Sequence, residues 1–187
     1  ILQQAGQPVT YTQHPGSTIT TNGSFTLQPG VTLSAGTTRF EIGQDWLNRG
    51  VFLPGQSEVW LTGPAPATIE GSNIFYDFGS TPPGKPVTLQ ANTVQEILNT
   101  TTFRGDFGNL LQLRSSVPGQ QFSLLPHGET IFRSVDFNDA WIRGPPVAPL
   151  LSKNSGNNSG LECSLVGPAW TGTASSSHWS DPLNWDG

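Results

Sequence analysis

Asp136 and Asp139 are the carboxylates in this chain best placed for acid–base work. Glycoside cleavage uses two such groups, one as acid and one as base or nucleophile. Strand neighbours alternate between faces, so a spacing of three does not put both on one face. Both are expected at a turn or edge instead. His127, Glu129 and Arg133 would form a second acid–base cluster, but Pro126 and Gly128 flank His127 and read as a surface turn. His14 precedes Pro15-Gly16, and His178 lies among Ser175, Ser176 and Ser177; neither has a partner at a telling distance. Residues 154–158 and 181–186 offer oxygen ligands for Ca²⁺. They lack the alternating acids and closing Glu of an EF-hand, so ordinary turns are expected. Trp46, Trp60 and Trp141 offer faces on which a sugar ring could stack. Trp46 and Trp60 also lie in strand-like phrases and are equally suited to filling or capping a core. No nucleotide-binding, zinc-protease or serine-hydrolase motif is present, and no cofactor or metal is expected.

These groups must be held by β-structure. Short apolar alternations recur: Phe25-Thr26-Leu27, Val31-Thr32-Leu33, Phe40-Glu41-Ile42, Val59-Trp60-Leu61, Val87-Thr88-Leu89, Leu111-Gln112-Leu113 and Phe122-Ser123-Leu124. Such alternation buries one face of a strand. The expectation is that Phe25, Leu27, Val31, Leu33, Phe40, Ile42, Val59, Leu61, Leu111, Leu113, Phe122 and Leu124 point inward. Turn signals such as Pro29-Gly30, Pro54-Gly55, Pro83-Gly84 and Pro118-Gly119 separate the segments. Thr93-Val94-Gln95-Glu96 has capping-box spacing for one helical turn, but a strand with Val94, Ile97 and Leu98 inside is favoured.

Only 11% of the chain is charged and the net charge is −5, which leaves no footprint for nucleic acid or an anionic membrane. No apolar run reaches the roughly 20 residues of a membrane helix, so membrane insertion is not expected. The single Cys163 excludes an internal disulfide and is expected as a buried thiol beside Leu161 and Leu165. The chain opens on Ile1-Leu2 without a signal peptide, which reads as a mature or excised piece of something longer. Composition divides it into a segment 1–20, a core 21–143, and a connector with a Trp-rich end, 144–187. Asn22, Asn99 and Asn157 head glycosylation-type triplets that arise readily in a chain of this composition.

Phe40-Glu41-Ile42-Gly43-Gln44-Asp45-Trp46-Leu47-Asn48-Arg49-Gly50-Val51-Phe52 resembles a phrase of large secreted bacterial surface proteins. Val59 to Gly63, Ile69-Glu70-Gly71 and Ile74 to Phe78 resemble the phrases that follow it. Ser134 to Ala140, Ser155 to Gly160 and Trp170-Thr171-Gly172…Trp179…Trp185 resemble the closing phrases. Their order from about residue 24 onward is what carries the resemblance. It implies an all-β, right-handed parallel β-solenoid in an adhesin-like protein, often built of repeats. Pro82-Pro83-Gly84-Lys85-Pro86 interrupts the pattern as an insert. Strands of three to five residues independently suit a solenoid, where each pairs with the coils above and below; an antiparallel β-sandwich is the alternative.

The function expected is a non-enzymatic structural or adhesive module, secreted or at the cell surface, within a filament or longer protein. The expected partners are copies of itself, sister units, or a glycan or cell-surface ligand. Val9, Tyr11 and Ile19 at one end and Trp170, Trp179 and Trp185 at the other are the residues expected at self-association contacts. The alternative is a glycan-binding or glycan-cleaving β-helix, marked by a groove with Trp and with Asp or Arg on adjacent coils.

Overall fold

The structure is a computed structural model that describes residues 9–162, 169–170 and 185–186. The chain winds as a parallel β-solenoid of about six turns. The first coil is β1 (Val9–Thr12), β2 (Thr18–Thr21) and β3 (Phe25–Leu27). The second is β4 (Val31–Ser34), β5 (Arg39–Ile42) and β6 (Trp46–Asn48). The third is β7 (Val51–Leu53), β8 (Glu58–Leu61) and β9 (Ala67–Glu70).

From the fourth coil the first two strands fuse around a corner, as β10 (Asn73–Ser80) and then β12 (Val94–Arg104). The third faces of these coils are β11 (Pro86–Leu89) and β13 (Leu111–Ser115). Next come β14 (Phe122–Pro126), β15 (Thr130–Arg133) and β16 (Val135–Asn138), then β17 (Ala140–Ile142) and β18 (Lys153–Asn154). Every pairing among β1 to β18 is parallel, which excludes the sandwich. β19 (Ala169–Trp170) and β20 (Trp185–Asp186) form an antiparallel pair that sets Trp170 opposite Trp185.

Proline and glycine turn the chain at several corners. In His14–Ser17, Gln28–Val31, Pro82–Lys85 and Val117–Gln120 the fourth amide donates to the first carbonyl. The Gly at the third position has a positive φ, for example 78° at Gly30, which a type II turn requires. All twelve residues expected inward are buried, none more than 7% exposed. Parallel register stacks them: Phe40 on Val59, Ile42 on Leu61, Leu111 on Val135, Leu124 on Ile142. An aromatic spine runs through this core. Phe25 stacks on Trp46 at 4.6 Å, Phe75 on Phe78 at 4.2 Å, and Phe103, Phe132 and Phe137 continue it.

No helix forms at residues 93–96: strand β12 begins at Val94, and Ile97 is buried as expected. Leu98, expected inside, is 43% exposed, because β12 bends there from one face to the next and the inward phase changes. β1 and β2 are laid on the chain's own β4 and β5, so Tyr11 and Ile19 pack against the core as part of the first coil. Cys163, His178 and Trp179 lie outside the described residues.

Candidate functional site

Most of the chemistry-bearing residues are committed to holding coils together. Asp45 accepts from Ser24 Oγ (2.9 Å) on the coil before and from the Thr68 amide (2.8 Å) on the coil after. Trp46 is fully buried and its indole N–H donates to Asn73 Oδ1 (3.1 Å). Asn48 donates to the same oxygen, and Asn73 donates to Gln95 Oε1 (2.7 Å), forming an amide ladder at one corner. Arg49 pairs with Glu70. In the phrase from Phe40 to Phe52, Asp45, Trp46, Asn48 and Arg49 thus make corner and ladder contacts.

Trp60 faces outward. Its ring lies over Gly79, where an added Cβ would meet it at 2.8 Å. Its N–H donates to Glu58 Oε2 (2.9 Å), and Arg39 sits 5.5 Å above the ring while also pairing with Glu41 and Glu58. The Arg39 pair holds the Glu41 carboxyl below its ordinary value.

Asp136 is a buried strand residue rather than a turn or edge residue. It is held by Arg114 (2.5 Å) and by Ser155 Oγ (2.6 Å). Val135 and Phe137 point into the core, so Asp136 between them points outward, where Arg114 one coil back and Ser155 on the coil after cover it. Asp139 is at a corner with φ 58° and accepts from Asn157 Nδ2 (2.6 Å). Each carboxylate thus has its own structural partners. His127 pairs with Glu96 (2.9 Å) on the previous coil, and not with Glu129 or Arg133, which are exposed. Residues 154–158 are a ladder cap. Asn158 donates to the Phe137 carbonyl and accepts from the Ala140 amide, and Asn154 accepts from the Gly156 amide. No group of three or more His, Cys, Asp or Glu capable of holding a metal occurs among the described residues.

Sequence reasoning missed Lys85. It is fully buried, with Nζ donating to the carbonyls of Gly63 (2.6 Å), Ala65 (2.5 Å) and Gly43 (3.2 Å). The Pro82–Lys85 turn aims it into that corner. Burial lowers its pKa, and Asp45 opposes the shift. Its position after two prolines and a glycine signals a turn but not burial.

One of the three candidate tryptophans is open to a ligand. Trp141 on β17 is 43% exposed. Its neighbours in register are Ser123 on β14 and, through an isolated bridge, Ser159. Side chains that short leave the indole uncovered along the solenoid axis. Arg143, two residues on, lays its guanidinium 4.3 Å over the ring. Trp141, Arg143 and Ser123, with Asn92, Gln120, Gln121 and Asn157, line a depression of about 480 Å³. Asn92 and Asn157 sit at corners with φ 60° and 50°, a conformation Asn tolerates better than most residues. Asn92 donates to Gln120 Oε1 (2.8 Å), and Gln121 donates to the Asn157 carbonyl (2.8 Å). Arg143 also borders a second depression of about 190 Å³ beside His127, Pro145 and Pro146. The arrangement can bind through an aromatic face and several fixed amides. The glycan-binding alternative expected a Trp groove with Asp or Arg on adjacent coils; here the Trp and the Arg share one coil, two residues apart, and the adjacent coils contribute amides and Ser123.

Compared with protein-family models, with curated proteins and with solved structures, the chain shows no match.

Proposed function

We propose that this chain is an adhesive or structural module of a secreted or cell-surface protein, acting by binding rather than by catalysis. The observation that carries the reading is the Trp141 cleft. It is set on a rigid parallel ladder, and its lining of amides, serine, an indole and one guanidinium contains no acid–base pair. The carboxylates that would serve hydrolysis are engaged by Arg114, Ser155 and Asn157. The ordered resemblance to secreted bacterial surface proteins supports the same setting, as does an outer surface dominated by uncharged polar side chains.

The solenoid also supplies edges. Among the described residues β1, β2 and β3 each end their sheet at one extremity, and ladder groups at such an edge recruit further strands. Copies of the chain, or sister units of a longer protein, are the partners that such edges fit. Repeated head-to-tail contact would give a filament rather than a ring.

The reading is tested by coating beads with the chain and measuring their attachment to glycan-coated and cellular surfaces. Attachment above that of uncoated beads is expected. Release of reducing ends from a polysaccharide that disappears in Asp136→Asn or Asp139→Asn would overturn it in favour of a hydrolase.

A further inference from the structure

We propose that the Trp141–Arg143 cleft binds a glycan carrying a carboxylate, such as a hexuronic-acid residue. The proposal rests on the adhesive reading and names the ligand class of that site. Three features lead to it. The half-exposed indole presents apolar surface to the depression, as the C–H face of a pyranose needs. Asn92, Gln120, Gln121 and Asn157 place amides around it, and amides both donate to and accept from sugar hydroxyls.

The third feature decides the charge. Arg39, Arg49 and Arg114 have carboxylate partners; Arg104 and Arg133, which line neither depression, have none among the described residues. Among the described residues Arg143 has none, and its guanidinium is held only by stacking on Trp141. No carboxylate lines either depression that it borders. A guanidinium fixed in orientation, with donors left over and no acid beside it, is suited to bidentate capture of a carboxylate. The two depressions meet at Arg143, so an extended acidic oligosaccharide can run past it. The chain's overall charge of −5 opposes any anion at long range, and screening by salt removes that opposition sooner than it weakens a direct ion pair.

The test is calorimetric titration of the full chain with oligogalacturonate and, separately, with a neutral cello-oligosaccharide of the same length. Oligogalacturonate is expected to bind more tightly. Trp141→Ala should weaken it about tenfold or more. Arg143→Gln should remove the preference for the acidic ligand while leaving residual neutral binding. Both side chains are on the outer face, and thermal melts of the variants check that the fold is kept. Should Trp141→Ala melt early, Arg143→Gln alone decides.

Equal affinity for both ligands, or oligogalacturonate binding undiminished in these variants, overturns the proposal. So does an absence of oligogalacturonate binding. Bead attachment separates this from the adhesive reading: beads that adhere equally with and without Trp141 sink the cleft proposal alone, whereas beads that never adhere sink the adhesive reading.

Discussion

Replacing Lys85 by Met should lower the unfolding midpoint, because the carbonyls of Gly43, Gly63 and Ala65 would lose their common donor. A buried acceptor left unpaired costs on the order of 1–3 kcal/mol. The same residue sets a pH dependence. Burial lowers its pKa, so the unfolded chain keeps this proton to higher pH than the folded chain does. Its contribution to stability therefore rises as pH climbs through the window between the lowered value and the ordinary lysine value of 10.5. Urea unfolding across the alkaline range should show that rise in the parent and a flatter profile in Lys85→Met; parallel profiles would mean that the folded state does not shift this group. Leu61, fully buried beneath Ile42, should cost about 2–5 kcal/mol when changed to Ala. A loss near zero in a denaturant titration would contradict its core position. The alternation Val59-Trp60-Leu61 already identified Leu61 as inward, whereas nothing in Pro82-Pro83-Gly84-Lys85 marks the lysine as buried.

At the scale of the strand, Gly79 and Trp60 share one site on the outside of β8 and β10. A side chain at Gly79 would meet both the Trp60 ring and the Thr102 carbonyl of the next coil. Gly79→Ala should destabilise by about 1–3 kcal/mol through overpacking. Combining it with Trp60→Ala should recover part of that loss, since one of the two obstacles is removed. Simple additivity in chemical denaturation would show that the ring does not rest on this glycine. Strand positions were legible because each alternation is local to a few residues. The corner in β12 was not: Leu98 follows Ile97 in an apolar pair, and only the bend decides which of the two faces the core. The coils also vary in length, with stacked partners separated by 21 residues at Ser24 and Asp45 but 28 at Asn92 and Gln120. That variation hides any strict repeat in the sequence.

For the whole molecule, the ladder at β2, which ends its sheet among the described residues, is the place to test assembly. Ser17 and Thr21 turn their carbonyls to the Arg39 and Gly43 amides, so Thr18 and Thr20 turn theirs to the open edge. Proline at Thr20 would block an added strand without removing a backbone bond to β5; only the exposed hydroxyl bond from Thr20 to Glu41 is lost. Light scattering over a concentration series should show a mass that grows with concentration for the parent and less so for Thr20→Pro. A parent that stays monomeric at high concentration would remove end-to-end association, and equal growth in both would move the joint away from β2. The inward rows, the Pro-Gly corners and the all-β class follow from sequence alone, because alternation and turn chemistry act within a few residues. Partners across coils do not. Asp136 meets Arg114, Lys85 meets Gly43, and Trp141 stands between Ser123 and Ser159 only once the coils stack. Hence the three tryptophans weighed together in the sequence became a core filler, a covered surface ring and a half-exposed ring: what lies one coil above and below determines exposure, and that neighbour is set by coil length.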